Sequence, residues 1–149
     1  MEIKDVLTFI VAAYGAALAT YVAVVQRRDK RPRLDVNLSY GFLTFGSTLS
    51  DQQLLLTAAN IGERPITIAS GVIMLPDKTQ VISFANNSSA QFPHQLEVGK
   101  SMTVWFELRP LVAQLRAKGH KGTIKVRAKF SDQTSREYLS RTTDLELKD

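Results

Sequence analysis

Few side chains in this chain have the type and spacing that metal binding requires. The only two histidines are His94, in a loop, and His120, in a glycine-flanked turn, and there is no cysteine. Zinc sites need three or four clustered ligands, and no pair of histidines at helical spacing occurs here. We therefore expect no metal site, and we interpret both histidines as ordinary loop residues.

The hydroxyl and carboxyl groups form no catalytic pattern either. No serine lies in a Gly-X-Ser-X-Gly elbow, and the eight glycines form no phosphate-binding loop. Asp144 and Glu146 share one face of a predicted strand, where surface carboxylates are ordinary. The absence of cysteine excludes thiol catalysis and disulfides. We expect a protein that is not an enzyme, with no catalytic residue, no cofactor and no evident small-molecule substrate.

A row of cations is the sharpest surface pattern. Lys125, Arg127 and Lys129 alternate with apolar residues, so a strand would place all three on one face. Such a row can bind anionic lipid or an acidic partner, although many are solvated faces that keep a sheet from pairing with its neighbours. Because no aromatic residue alternates with the cations, single-stranded nucleic acid is disfavoured, and we expect no nucleic-acid partner.

A hydrophobic segment near the N-terminus places this chain at a membrane. Residues 6–25 are twenty residues without a charge, and at 1.5 Å per residue they span about 30 Å, the hydrocarbon thickness of a bilayer. The sequence predicts a tail at 1–5, a single transmembrane helix at 6–26 and a basic collar at 27–33. A cleaved signal peptide ending near Ala19 is the alternative, which the acidic tail and the six further apolar residues disfavour.

The collar determines the predicted orientation. It holds five of the basic residues, whereas Lys4 is the only one before the helix. Excess Lys and Arg mark the cytoplasmic side, so we expect a protein of the bacterial inner membrane with its C-terminal domain in the cytoplasm. The collar acts only as a topology signal, or it additionally binds anionic lipid. Its cations are Arg27, Arg28, Lys30, Arg31 and Arg33.

The predicted helix has a face of small residues. Gly15, Ala19 and Ala23 recur at every fourth position, a spacing that lets a second helix approach closely. Tyr14 lies near mid-span, where its hydroxyl needs a protein partner or a backbone carbonyl. We expect this face to contact another membrane protein or a second copy of the chain, although an alanine-rich span produces such spacing by chance.

Residues 34–149 predict one all-β domain with a single short inserted helix. Alternation of apolar and polar residues is clearest at 34–42, 102–108 and 124–130, and shorter extended runs lie between them. Residues 72–75 and 80–84 flank a proline-containing turn and predict a hairpin. Pro110 and Gly119 bound the short helix. Seven to nine short strands with frequent turns indicate an antiparallel, immunoglobulin-like β-sandwich.

Three stretches carry a resemblance. ANIGERPITI, FPHQLEVGKSMTVWFEL and GTIKVRAKFSDQTSREYLS resemble the domain of a group of uncharacterised bacterial single-pass membrane-anchored proteins with an immunoglobulin-like β-sandwich. The similarity covers about residues 54–140. It implies a sandwich fold and an N-terminal anchor, and it implies no activity and no catalytic residues.

These features lead to one preferred function and two alternatives. We expect a membrane-anchored, non-catalytic interaction or accessory module whose partners are membrane lipid and another membrane protein. The first alternative is a sensor or effector that the collar and the Lys125–Arg127–Lys129 row hold against anionic lipid. The second is a small exclusion or immunity protein that acts at the inner membrane.

Overall fold

The computed structural model describes residues 3–82 and 87–147 and consists of two helices and eleven strands. Most of the chain after the first helix forms antiparallel strands. The elements, in chain order, are α1 Ile3–Asp29, β1 Leu34–Gly41, β2 Thr44–Phe45, β3 Thr48–Leu49, β4 Gln53–Asn60, β5 Ile66–Met74, β6 Gln80–Ile82, β7 His94–Leu96, β8 Ser101–Glu107, α2 Leu108–Ala117, β9 Thr123–Asp132, β10 Glu137–Leu139 and β11 Thr143–Glu146.

Helix α1 is long and apolar enough to cross a membrane. It has 27 residues and extends beyond the predicted span at both ends, since polar flanking residues continue its hydrogen bonding. Lys30 N still donates to Gln26 O at 3.2 Å. Pro32 lacks an amide hydrogen and cannot continue the helix, and β1 begins two residues later.

The strands form two main antiparallel sheets and one small hairpin. The smaller sheet has the order β1-β4-β8, and the larger has β10-β9-β5-β6, with β11 paired to β9 and β7 paired to β5. Strands β2 and β3 form a separate hairpin that the sequence did not predict. The predicted hairpin of β5 and β6 is present, with Met74 opposite Gln80; positions 83 and 84 of its second strand lie outside the described residues.

Buried side chains of both sheets form one hydrophobic cluster. Leu54 and Leu56 from the smaller sheet and Ile73, Val126 and Phe130 from the larger sheet are completely buried. Helix α2 contributes two further buried leucines, one turn apart, and its remaining side chains lie at the surface. The all-β class with one inserted helix is therefore confirmed as antiparallel sheets, whereas the immunoglobulin-like strand order stays a prediction.

Strand β5 corrects one detail of the sequence interpretation. The sequence pattern indicates extended residues at 65–68 and a separate run at 72–75, on either side of Gly71. The structure has a single nine-residue strand through this position. A Cβ at Gly71 would lie 2.6 Å from Cε1 of Phe130, so the glycine makes room for a buried ring on the neighbouring strand.

Candidate functional site

The two ends of the domain are distinguished by the point where α1 attaches. Strand β1 starts at Leu34, directly after the collar, so we call this end proximal and the end near Gly41 distal. Because β4 and β8 follow in antiparallel order, Gln53 and Glu107 also lie at the distal end. Helix α2 begins immediately after Glu107 and is therefore a distal element.

A groove of about 680 Å³ lies beside α2 at the distal end. Its apolar part comes from the outer side of the helix, where Leu108 and Val112 are one turn apart and only half-buried. Strand β11 contributes two carboxylates to the lining, and α2 contributes two guanidinium groups. The lining residues are Tyr40, Gln52, Leu108, Arg109, Val112, Ala113, Arg116, Asp144 and Glu146.

Hydrogen bonds fix several of the polar side chains that line this groove. The Tyr40 hydroxyl donates to the Asp144 backbone oxygen at 2.8 Å, and Arg116 donates through Nη2 to Leu147 O at 2.6 Å. Burial, followed by the negative charges of Glu146 and Asp144, raises the pKa of Tyr40. Tyr40 therefore remains a neutral donor at physiological pH, and the groove combines a fixed guanidinium, that of Arg116, with two carboxylates beside an apolar surface.

A second depression of about 320 Å³ lies on the other side of Leu108 and Arg109, beneath the β2–β3 hairpin. The hairpin exposes Phe45 at 65% and Leu49 at 60%, so two large apolar side chains lie close together at the surface. Trp105 also lines this depression and is half-buried. We call the two depressions and the hairpin together the distal surface.

Gln53 lies under the hairpin and has an incomplete hydrogen-bond set. Its Nε2 donates to Asp51 O at 3.2 Å. Its Oε1 is buried and accepts no hydrogen bond from the described residues. An unpartnered buried acceptor costs free energy, so this part of the distal surface is not optimised for stability alone.

The predicted row of cations on β9 is shorter than expected. Lys125 and Arg127 are exposed, but Lys129 is buried at 8% exposure and pairs with Glu137. Strand β10 pairs with this part of β9 and brings Glu137 to Lys129, which alternation along one strand could not reveal. Arg127 Nε also donates to Thr142 Oγ1 at 2.9 Å. Lys129 therefore belongs to a structural ion pair with Glu137. The exposed row consists of Lys125 and Arg127.

The other predicted surface residues lie on α1 and the collar. Gly15, Ala19, Ala23 and Tyr14 are exposed on α1, and the Tyr14 hydroxyl has no hydrogen-bond partner within the described residues. The five basic collar residues are exposed as well: Arg27, Arg28, Lys30, Arg31 and Arg33. The helix face and the β9 row are on separate elements, and the structure does not bring them into one site.

Histidine and carboxylate side chains do not form a metal centre in the described part of the chain. No group of three or more such residues lies close enough to hold an ion there. The distal surface was missed at the sequence level because Phe45 and Leu49 belong to two-residue strands, which are too short for an alternation pattern.

The comparisons with known proteins include a weak structural likeness. No family model matches this chain, and no curated protein matches it. A solved structure, the X-ray structure of Northeast Structural Genomics Consortium target SoR45, is similar over 76% of this chain and 86% of that one. The sequence identity is 10% and the TM-score is 0.32.

Proposed function

We propose that this protein is a membrane-anchored, non-catalytic interaction or accessory module. In this proposal α1 spans the bacterial inner membrane, and an immunoglobulin-like β-sandwich faces the cytoplasm because the basic collar follows the helix. The observation that carries the proposal is the distal surface, where Phe45 and Leu49 are more than half exposed beside the α2 groove. Clustered exposed apolar side chains on a soluble domain are typical of protein-binding sites.

The partner that this surface fits is a segment of another membrane protein, on the cytoplasmic side. Aromatic anchors surrounded by charged groups are typical of protein interfaces. The apolar side of α2 would accept apolar side chains of the segment. The carboxylate of Asp144 would pair with a positive charge at its edge, and the exposed Arg109–Asp51 ion pair lies at the same rim. Pairs formed at an exposed rim select the partner more than they strengthen binding.

The test is affinity purification of the full chain from native membranes in mild detergent, with variants compared side by side. Phe45→Ser should reduce the recovered partner to about a tenth or less, because losing a central anchor costs about 1.4 kcal/mol or more, which is at least tenfold in affinity. Ile82→Ser is the matched control, since Ile82 is 74% exposed on edge strand β6, outside the distal surface. Equal recovery with wild type and Phe45→Ser would overturn the proposal.

A second contact in this proposal is the small-residue face of α1. Gly15→Ile together with Ala19→Ile should weaken association within the membrane, because bulky side chains hold two helices apart. Ala13→Ile together with Ala17→Ile is the control on the opposite side of the helix. Unchanged recovery of the partner with the Gly15/Ala19 double variant would remove the helix contact and leave the distal surface to be judged separately.

The alternative of a lipid sensor acting through β9 has less support. Lys129 is buried with Glu137, and Arg127 donates to Thr142, so Lys125 is the one cation of the row without a side-chain contact among the described residues. A salt-dependent attachment to anionic vesicles that Lys125→Gln abolishes would favour this alternative instead.

A further inference from the structure

The proximal end of the domain is tied to the collar through the turn between β4 and β5. Ile61 N donates to Arg33 O at 3.1 Å. A Cβ at Gly62 would lie 2.9 Å from Arg33 N, so glycine is what allows the collar backbone to lie against this turn. The β4–β5 turn is therefore fixed next to the end of the predicted membrane anchor.

Asn60 joins a second turn, between β7 and β8, to the same place. Its backbone nitrogen donates to Lys100 O at 2.9 Å, and its backbone oxygen accepts from Gly99 N at 2.9 Å. Its side-chain Nδ2 donates to Leu96 O at 2.9 Å. The two turns thus form one surface at the proximal end, which we call the base: Arg33, Ile61, Glu63, Arg64, Glu97, Val98 and Lys100.

The base combines exposed apolar side chains with exposed cations. Ile61 is 63% exposed and Val98 is 47% exposed, one on each turn. Arg33, Arg64 and Lys100 are exposed beside them, against two exposed carboxylates, Glu63 and Glu97. Together with the collar the surface is strongly positive. Apolar side chains flanked by Lys and Arg are typical of segments that bind at the interface of an anionic bilayer.

The connection to α1 is too short to hold the base far from a bilayer. The uncharged run ends at Val25, and α1 continues for four residues to Asp29, which adds about 6 Å. The chain from Asp29 to Leu34 then spans at most about 18 Å when fully extended. The headgroup layer itself is about 5–8 Å thick on each side. The connection therefore keeps the base within about 24 Å of the hydrocarbon edge, and bending of the connection brings it closer to the headgroups.

We propose that the base is a lipid-binding surface, in which Ile61 and Val98 insert among the headgroups of an anionic bilayer. Arg33, Arg64 and Lys100 pair with lipid phosphates around them. This inference rests on the proposed membrane anchoring by α1. Seating the base on the membrane points the distal surface away from it, towards a partner in the cytoplasm.

Single-cysteine labelling tests the base directly, because the full chain contains no cysteine of its own. Full-length Ile61→Cys and Val98→Cys would each carry an environment-sensitive fluorophore in vesicles of phosphatidylglycerol and phosphatidylcholine. We expect emission at shorter wavelength and loss of quenching by aqueous iodide at both positions. Adding Arg64→Gln and Lys100→Gln to Ile61→Cys should return that label to water-like emission.

Two control positions separate the possible failures. Leu49→Cys, 60% exposed at the distal end, should stay open to iodide, and Leu18→Cys in α1 should be quenched by nitroxide-labelled lipid. If iodide quenches the labels at 61 and 98 as strongly as the label at 49, the base proposal is wrong and the proposed anchoring by α1 is unaffected. If protection from iodide at 61 and 98 depends on the number of protein molecules per vesicle and not on lipid charge, the base proposal is also wrong. A second copy of the chain would then cover these positions. A Leu18 label outside lipid would overturn the anchoring as well.

Discussion

Asn60 connects the proximal turns through all of its polar groups. It is 1% exposed, its Nδ2 donates to Arg64 O and Leu96 O, and its Oδ1 accepts from Gly62 N at 3.0 Å. Removing such a side chain leaves buried carbonyls and an amide without partners. At the scale of single residues, this is where the geometry of the proximal end is determined.

Asn60→Ala should therefore lower the free energy of unfolding by about 2–3 kcal/mol, because buried groups lose their partners. The unfolding of the full chain in detergent can be followed by the fluorescence of Trp105, the only tryptophan in the sequence. Asn37→Ala on the exposed face of β1 is the matched control and should change stability by about 0.5 kcal/mol or less. Equal effects of the two substitutions would contradict this role of Asn60.

Asp132 makes the stability depend on acid pH. Burial alone would raise the pKa of its carboxyl, but hydrogen bonds from Thr134, Arg136 and Tyr138 outweigh burial and lower it below 3.8. A lowered pKa in the folded state gives stability that is fully present above the unfolded pKa and is lost as the pH falls through the folded value.

We therefore expect the free energy of unfolding to decline as the pH falls below about 4. Asp132→Asn cannot ionise and should show a shallower decline. Tyr138→Phe removes one donor, the bond of 3.0 Å to Oδ2, and should lie between the two. Parallel pH profiles for wild type and Asp132→Asn would show that the carboxylate does not contribute as proposed.

At the scale of elements, β5 and β9 depend on one close contact. Gly71 is buried under the ring of Phe130, which is itself completely buried. Neither residue alone predicts this contact. Glycine is unfavourable within a strand, and phenylalanine is a common residue of a hydrophobic core. Their complementarity arises only when the two strands pair, with Gly71 opposite Phe130.

Gly71→Ala should destabilise the fold by about 1–3 kcal/mol, because the added methyl forces the ring or the backbone to move. The same change should cost less in a Phe130→Leu background, which frees space at the site. Chemical unfolding of the two single variants and the double variant measures this coupling. Strictly additive effects would show that the contact between residues 71 and 130 does not limit packing.

Elements with regular alternation were predictable from the sequence, and short or covered ones were not. Strands β1, β8 and β9 are seven to ten residues long, and apolar and polar residues alternate along them, so the sequence predicts them. Strands β2 and β3 have two residues each, below any periodic signal. Lys129 is a different case. Alternation predicts the face of β9 on which its side chain lies, but it does not predict that β10 pairs with β9 and brings Glu137 to Lys129.

At the scale of the whole molecule, the two ends of the domain have different surfaces. The base is next to the end of α1 and carries cations and two apolar side chains. The distal surface is separated from it by the eight residues of β1, about 27 Å of extended strand. Under the proposed function, the base would face the membrane and the distal surface would face a partner at the opposite end, an arrangement that suits an anchored interaction module.

We propose that the distal surface binds a protein partner in native membranes, and site-specific photo-crosslinking tests this contact. A photo-crosslinking amino acid replaces Phe45 in the full chain, or Ile82 in a parallel sample, and cells that contain each are irradiated. We expect a discrete crosslinked product from position 45 that is absent from position 82. No product from position 45, or the same products from both positions, would contradict it.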